Sequence, residues 1–282
     1  MSTEGMYPFN RMVIDADLWT YDIAFAAERK DLTLPFSYCI DLVDTRLHEL
    51  KETLGCEEFT MYLTGDGNFR HDIAKADVYK GNRKQPRPKY YQNLRDYLVV
   101  QYQAEIIHGM EADDALAIEL TKHGDSVICV SRDKDLRQVP GWHYSYSVGN
   151  QLPFGPHKYS ELGELALFKM KSGNKLTGGG LKFFYSQVLT GDTVDNYKGV
   201  KGAGPVAAYK LLNDCESHED LLSKALGYYY DKHAENAAQL FLEQADLAWM
   251  VRELYEDQTP VLYSTKYSYL IDQIWYSTQE EV

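Results

Sequence analysis

The chain has few cysteines. Cys39, Cys56, Cys129 and Cys215 are scattered and form no C-x-x-C pair. That pattern suits buried free thiols in a reducing compartment and not a zinc site. No run of about 18 apolar residues occurs, so no transmembrane helix is expected. Residues 1–11 lack a basic start and an apolar centre, so no signal peptide is expected either. Internal repeats and low-complexity tracts are missing. A cytoplasmic location away from membranes follows as an expectation. Positive charge is also scarce: 29 Lys and Arg face 42 Asp and Glu, a net charge of −13. Taken alone, that deficit argues against a nucleic-acid partner. The argument fails if the acids converge on cations, because bound metal cancels charge locally.

The 282 residues, 44% of them hydrophobic, suffice for one large α/β domain or two smaller ones. Apolar runs at 12–14, 59–63, 104–107 and 126–131 predict strands. Helices are expected over 18–30, 37–54, 90–101 and 111–123, with Gly55 stopping the second. The alternation implies an α/β fold: a mainly parallel central sheet with helices on both faces. An edge strand is expected at 144–148 and a glycine-bracketed loop at 172–181. After it the chain reads helical, over 182–189, 206–213, 219–229 and 234–255. The Tyr-rich tail, 261–275, is expected to pack back on the body. Two domains result: 1–155, the α/β core, and 156–282, mostly helical.

The placement of acids is the strongest signal. Asp15, Asp66 and Asp133 each follow an apolar strand directly or within a few residues, and Glu111, Asp113 and Asp114 follow another. In an open parallel sheet the strand C-termini share one edge, where ligands bind. Asp15, Asp66, Glu111, Asp113, Asp114, Asp133 and Asp135 should therefore converge. Asp192 and Asp195 add a further pair. So many carboxylates cannot stay ionised together without cations. All-oxygen donors suit Mg²⁺ or Mn²⁺, and two such ions can serve an in-line phosphoryl displacement. The competing explanation is helix N-capping, which accounts for Asp113 or Asp114 singly but not for the set.

The scarce positive charge is concentrated. Residues 70–89 carry Arg70, Lys75, Lys80, Arg83, Lys84, Arg87 and Lys89 against only Asp72 and Asp77. Lys80 and Arg83, three apart, would share a helical face and could hold a scissile phosphate. A solvated charged loop is the plainer alternative. Further on, Gly199, Gly202 and Gly204 build a turn that runs into an apolar helix, with Pro205 at its first position. Bare amides there can bind phosphate, and Lys198, Lys201 and Lys210 favour contacts to a duplex backbone. His108 adjoins the sheet edge and reads as a hydrogen-bonded histidine.

Val13-Ile14-Asp15, Gly65-Asp66, Tyr79-Lys80-Gly81-Asn82-Arg83, Glu111-Ala112-Asp113-Asp114, Asp133-Lys134-Asp135 and the stretch from Gly191-Asp192 to Gly204 together resemble the phage-type 5′ nucleases of the flap endonuclease superfamily. That group includes the 5′-nuclease domain of bacterial DNA polymerase I. The resemblance covers about residues 12–212. It implies a PIN-like core and a metal-dependent 5′-3′ exodeoxyribonuclease or flap endonuclease acting in DNA replication. It assigns Asp15, Asp66, Glu111 and Asp113 to one Mg²⁺ or Mn²⁺. It assigns Asp133, Asp135, Asp192 and Asp195 to a second, with Asp114 between or behind. Lys80 and Arg83 would be catalytic. Tyr79, Lys80, Arg83, Lys198, Gly199, Lys201, Gly202, Gly204 and Lys210 would bind DNA. The basic segment, about 68–90, would form an arch or clamp. Residues 182–213 would form a helix–three-turn–helix element holding a K⁺ ion. The implied partner is duplex DNA with a 5′ end, nick or flap, with RNA–DNA hybrid a further candidate. A monomer in the cytoplasm is expected, the host's if a phage encodes the chain. Asp15 is followed by Ala16-Asp17, where many members have Gly or Gly-Asn. Two rivals are a haloacid-dehalogenase-like phosphatase, suggested by Asp15-Ala16-Asp17, and a DNA-binding protein with a decayed site. The first leaves Glu111, Asp113, Asp114, the basic segment and the Gly turn without a task. The second conflicts with the complete acid set.

Overall fold

Met12, Val13 and Ile14 are wholly buried, as a strand covered on both faces requires. The structure, a computed structural model, describes residues 7–29, 32–82, 85–171 and 173–280. In chain order it runs β1 (Arg11–Asp15), α1 (Ala16–Ala27), the short strands β2 (Glu28–Arg29) and β3 (Leu32–Thr33), α2 (Phe36–Leu54), β4 (Glu58–Thr64), α3 (Arg70–Ile73), α4 (Tyr91–Tyr102), β5 (Glu105–Ile107) and α5 (Ala112–His123). It continues with β6 (Val127–Val130), β7 (Gly141–Ser145), β8 (Phe154–Tyr159), β9 (Glu164–Met170) and β10 (Gly173–Gly179). The remaining helices are α6 (Gly180–Thr190), α7 (Pro205–Leu212), α8 (His218–His233), α9 (Ala237–Ala248), α10 (Tyr263–Lys266) and α11 (Ser268–Glu280).

Two compact units emerge. The first takes Met1–Gly67, Lys84–Leu136 and Gly141–Lys158; the second takes Asn68–Arg83, Arg137–Pro140 and Tyr159–Val282. The expected boundary at 155 lies close to this division. The basic segment differs: its first part, Asn68–Arg83, belongs with the second unit and not with the α/β core.

The first unit is built on a sheet in the order β5-β4-β1-β6-β7-β8. β1 pairs in parallel with β4 and β6, β4 with β5, and β6 with β7. Met12 and Ile14 pack with Trp19 and Ile23 of α1, Val43 and Leu47 of α2, and Leu94 and Leu98 of α4. Val13 points to the other face by strand alternation, the face that α5 covers. Gly55, with φ 66°, ends α2 in the left-handed conformation as expected. The expected edge strand at 144–148 is instead the interior strand β7, and β8 forms the edge.

The second unit centres on α6, which buries Leu181, Phe183, Phe184, Tyr185, Val188 and Leu189. An apolar surface all round marks a helix enclosed by others. Tyr263 and Ile271 of the tail join this core, so the tail does pack back. Arg70 is 1% exposed, and its guanidinium donates to the carbonyls of Leu247 and Trp249 at 3.2 and 2.6 Å. This arginine of the basic segment is therefore an internal tie.

Two expectations fail here. The glycine-bracketed loop at 172–181 is largely a strand, because β9 and β10 form an antiparallel hairpin. Its glycines allow close approach: a Cβ on Gly178 would lie 2.1 Å from the Glu164 carbonyl oxygen. The helix expected over 234–255 stops at Ala248, and Trp249 takes extended dihedrals. Trp249 and Val251 are fully buried, so the run is apolar for packing and not for helical periodicity.

The Tyr185 hydroxyl lies 2.7 Å from His218 Nε2 and 2.6 Å from the Tyr263 hydroxyl. Burial holds His218 below its ordinary value; Glu219 and Glu161 oppose this and Arg252 adds to it. The unfolded chain therefore takes up this proton more readily than the folded one. The contribution of neutral His218 to stability is whole above the ordinary histidine value of about 6.5 and declines as pH falls through and below it. His218→Gln should flatten the dependence of the urea midpoint on pH between about 7 and 5. An unchanged slope would remove His218 as its source.

Candidate active site

Register brings four strand ends to one edge of the first unit. Asp15 of β1 is level with Tyr62 of β4, Thr64 with Ile107 of β5, and Ile14 with Val130 of β6. The turns that follow carry the predicted acids. Asp15, 2% exposed, caps α1: one oxygen accepts from the amides of Asp17 and Leu18 at 3.1 and 3.4 Å. Its other oxygen accepts from Ser131 Oγ at 2.8 Å. Asp66 is exposed, and its amide donates to His108 Nδ1 at 3.1 Å. That bond laces the turn after β4 to the turn after β5, and makes His108 the hydrogen-bonded histidine expected.

Glu111 and Asp114 form a capping box at the start of α5, with the Asp114 carboxylate accepting from the Glu111 amide at 3.1 Å. Asp114 is fully buried. It takes the helix-capping place weighed above, behind Glu111. Asp113, between them, is half-buried. The Asp133 amide donates to Ser131 Oγ at 2.9 Å, and the Asp135 amide to Asp133 Oδ1 at 2.8 Å. Lys134 Nζ stands 2.5 Å from Asp135 Oδ1.

The electrostatics report the crowding. Burial, then the carboxylates of Asp17 and Asp133, push Asp15 up to about 7, against the pull of Ser131 and the Leu18 amide. The buried Cys129 thiol is raised by burial and then by Asp15, Asp113 and Asp133 together. All four cysteines are buried and free, as the sequence suggested. This all-oxygen donor set fits a hard divalent cation. Within each unit, among the described residues, no three His, Cys, Asp or Glu side chains already close on a single ion position. Hydrogen bonds within the turns and the Lys134 pair hold the carboxylates instead.

Asp17, a departure from the family pattern, makes a network that sequence reasoning missed. Its Oδ1 accepts from Arg95 Nη1 at 2.9 Å and its Oδ2 from the Thr64 amide at 3.0 Å. Arg95 Nη2 donates to the Thr64 carbonyl at 2.6 Å, and Thr64 Oγ1 accepts from the Ala112 amide at 2.9 Å.

The second unit holds the remaining predicted residues. Asp192 is buried, and its Oδ1 accepts from the amides of Val194 and Asp195 at 2.7 and 3.4 Å, fixing the turn. Asp195 accepts from the Tyr79 hydroxyl at 3.1 Å, and its Oδ1 lies 3.7 Å from Lys80 Nζ. The Lys80 amide donates to the Asp195 carbonyl at 3.0 Å. The unit thus brings the basic segment to one of its two downstream acids. Tyr79 is 3% exposed, and its ring packs in the core of the second unit while its hydroxyl bonds Asp195. Arg83 lies outside the described residues.

In the Gly turn, Gly191 and Gly199 sit back to back at φ 70° and 59°, and a Cβ on Gly199 would fall 2.3 Å from the Gly191 nitrogen. Buried Val200 and Ala203 anchor the turn, while Lys201, Gly202 and Gly204 are exposed. Gly204 is the N-cap of α7, with Pro205 at its first position. Lys198 pairs with Asp77 at 2.8 Å, and Lys210 is exposed.

No family model matches the chain. DNA polymerase I of Chloroflexus aurantiacus is 31% identical over 197 residues, 66% of this chain and 19% of the polymerase. A 5′-3′ exonuclease of Mycoplasmopsis pulmonis is 27% identical over 168 residues, 55% of this chain and 50% of that protein. The chain thus spans about a fifth of the polymerase and half of the exonuclease. Among solved structures, the T5 D15 protein co-crystallised with metal ions superposes with a TM-score of 0.50 at 17% identity, over 96% of this chain and 98% of that one. A strand order and a set of strand-end acids thus coincide with sequence similarity to DNA polymerase I and to 5′-3′ exonucleases, and the chain is similar to the 5′-nuclease superfamily in sequence and in fold.

Proposed function

We propose that the chain is a divalent-metal-dependent 5′ nuclease that hydrolyses DNA phosphodiester bonds at or near 5′ ends, as exonuclease, flap endonuclease or both. One observation carries the reading: the parallel strand ends and the turns after them bring Asp15, Asp66, Glu111, Asp113, Asp133 and Asp135 to one edge of the sheet. Relatives named as 5′-3′ exonuclease and flap endonuclease support it.

In this proposal Asp15, Asp66, Glu111 and Asp113 hold one ion. Asp133 and Asp135 serve a second, to which the family resemblance also assigns Asp192 and Asp195. Bound Mg²⁺ or Mn²⁺ would supply an activated water and charge stabilisation for the leaving oxygen. The protein's own part is orientation. Ser131 and the first amides of α1 aim Asp15, and the amides of Asp133 and Asp135 chain their loop to Ser131. Lys80 brings a positive charge for the scissile phosphate. The exposed Gly turn offers amides and Lys201 to a duplex backbone, contacts that carry no base sequence. A K⁺ ion at that turn is part of the same proposal. The hairpin β9–β10 adds support: residues 165–190 hold Lys169, Lys171, Lys175 and Lys182 and no acid. In a chain of net charge −13 that is a second cationic stretch.

The test is product analysis on 5′- and 3′-labelled duplex, nicked and flapped DNA, with p-nitrophenyl phosphate in parallel. Release from the 5′ end should require Mg²⁺ or Mn²⁺ and stop in excess EDTA, with the small ester untouched. Full cleavage in EDTA would sink the metal assignment. Turnover of the small ester without DNA cleavage would favour the phosphatase.

A further inference from the structure

We propose that Asp17, Thr64 and Arg95 form a positioning device that fixes the segments of the first unit carrying Asp15, Asp66, Glu111 and Asp113, the acids to which the nuclease reading above, on which this rests, gives an ion. The three make a closed ring. Asp17 bonds Arg95, Arg95 bonds the Thr64 carbonyl, and the Thr64 amide bonds Asp17. The Thr64 hydroxyl extends the ring to the Ala112 amide. Each point of attachment neighbours an acid. Asp17 lies two residues past Asp15, Thr64 two residues before Asp66, and Ala112 between Glu111 and Asp113. The Arg95 guanidinium of α4 therefore ties the first turn of α1 to the end of β4, and the Thr64 hydroxyl carries the tie on to the start of α5.

Both Asp17 oxygens are engaged in this ring, so Asp17 is placed to orient its neighbours. The Arg95 side chain is 11% exposed. Removing such a charge from water is costly, so a largely buried pair is weak evidence for stability and better evidence for fixing one arrangement. Ligand carboxylates need outer partners of this kind to hold their angle, and losing one typically costs 10–100-fold in metal affinity or activity. The ring accounts for the Asp after Asp15-Ala16 that the family pattern left without a task.

The test uses the full chain with Arg95→Met, Arg95→Lys and Thr64→Val. Mn²⁺ binding without DNA is followed by the loss of the free-ion paramagnetic resonance signal. Single-turnover cleavage and the urea midpoint are measured alongside. Arg95→Met should weaken Mn²⁺ binding about tenfold or more and slow cleavage with it. Arg95→Lys keeps the charge but not the two-pronged contact, so it should restore binding only in part. Thr64→Val keeps shape and charge, removes the hydroxyl that accepts from the Ala112 amide and bonds the Asp17 carboxylate, and should shift binding in the same direction by less. The sign is diagnostic. Removing a cation near carboxylates would by Coulomb's law tighten Mn²⁺ binding, so weaker binding reports lost geometry. Unchanged or tighter binding in the folded variants overturns the proposal. If Arg95→Met fails to fold, Arg95→Lys and Thr64→Val decide it. A wild-type chain that neither binds Mn²⁺ nor cuts DNA removes the nuclease reading and this proposal together. A wild-type chain that does both, beside variants that bind normally, removes only the positioning role.

Discussion

An Asp133→Ala chain should bind a 5′-ended duplex and fail to cut it. Asp133 is one of the carboxylates that raise Asp15, so it contributes to the negative field a divalent ion would balance. Losing one preorganised electrostatic group costs about 10²–10³-fold in rate. A ligand whose loss also empties an ion position should cost roughly 10³-fold or more. Duplex affinity should hold or rise, because the change removes a negative charge near phosphate. Asp133 also accepts from the Asp135 amide at 2.8 Å, so the alanine variant disturbs the loop as well. Asp133→Asn separates the two effects: its amide oxygen keeps that bond while the charge is gone. Both variants should be inert in Mg²⁺ and bind normally in Ca²⁺. Near wild-type turnover in either would exclude Asp133 from the chemistry.

Lys80→Ala should lower the single-turnover rate by roughly 10²-fold or more, with only a small loss of affinity. Lys80 is held by its own backbone: its amide bonds the Asp195 carbonyl, and its φ is 54°, rare for a residue with a side chain. If, as proposed, a lysine fixed in this way beside Asp195 meets the scissile phosphate only once a 5′ end is in place, its charge counts in the chemical step. In the proposed reading the duplex grip lies elsewhere, in the Gly turn and its lysines. The measurement is single-turnover cleavage of a 5′-flap duplex paired with binding in Ca²⁺. If Lys80→Ala cuts at the wild-type rate, or loses affinity alone, the segment is a general electrostatic patch.

Much of the first unit could be read from the sequence because its signals are local. Continuous apolar runs followed by an acid gave β1, β4 and β6, and Gly55 marked the end of α2; in the second unit Pro205 marked the start of α7. What escaped depends on contacts between distant residues. Asp17 and Arg95 are 78 positions apart, and neither stands out from other surface charges until the sheet assembles. The hairpin was hidden because glycines that admit a neighbouring backbone look the same in sequence as glycines that bend a loop. Tyr79 sits in a motif associated with DNA, yet the helical core has absorbed its ring. Asp114 reads in sequence as one more acid beside Glu111 and Asp113, while its spacing of three from Glu111 makes it the partner in that residue's capping box.

The buried Arg70 guanidinium has a consequence for synthesis. Its carbonyl partners on Leu247 and Trp249 lie 177 and 179 residues further along the chain. The second unit borrows an early segment, Asn68–Arg83, that the ribosome delivers long before α9. That segment cannot complete its packing until α9 has been made. Arg70 and Tyr79 find their seats only when most of the polypeptide has emerged. Contacts of such long sequence separation carry a loop-closure penalty and fold slowly. Residues 159–282 expressed alone would form a core with a vacant groove, which the peptide 68–83 should fill when added in trans.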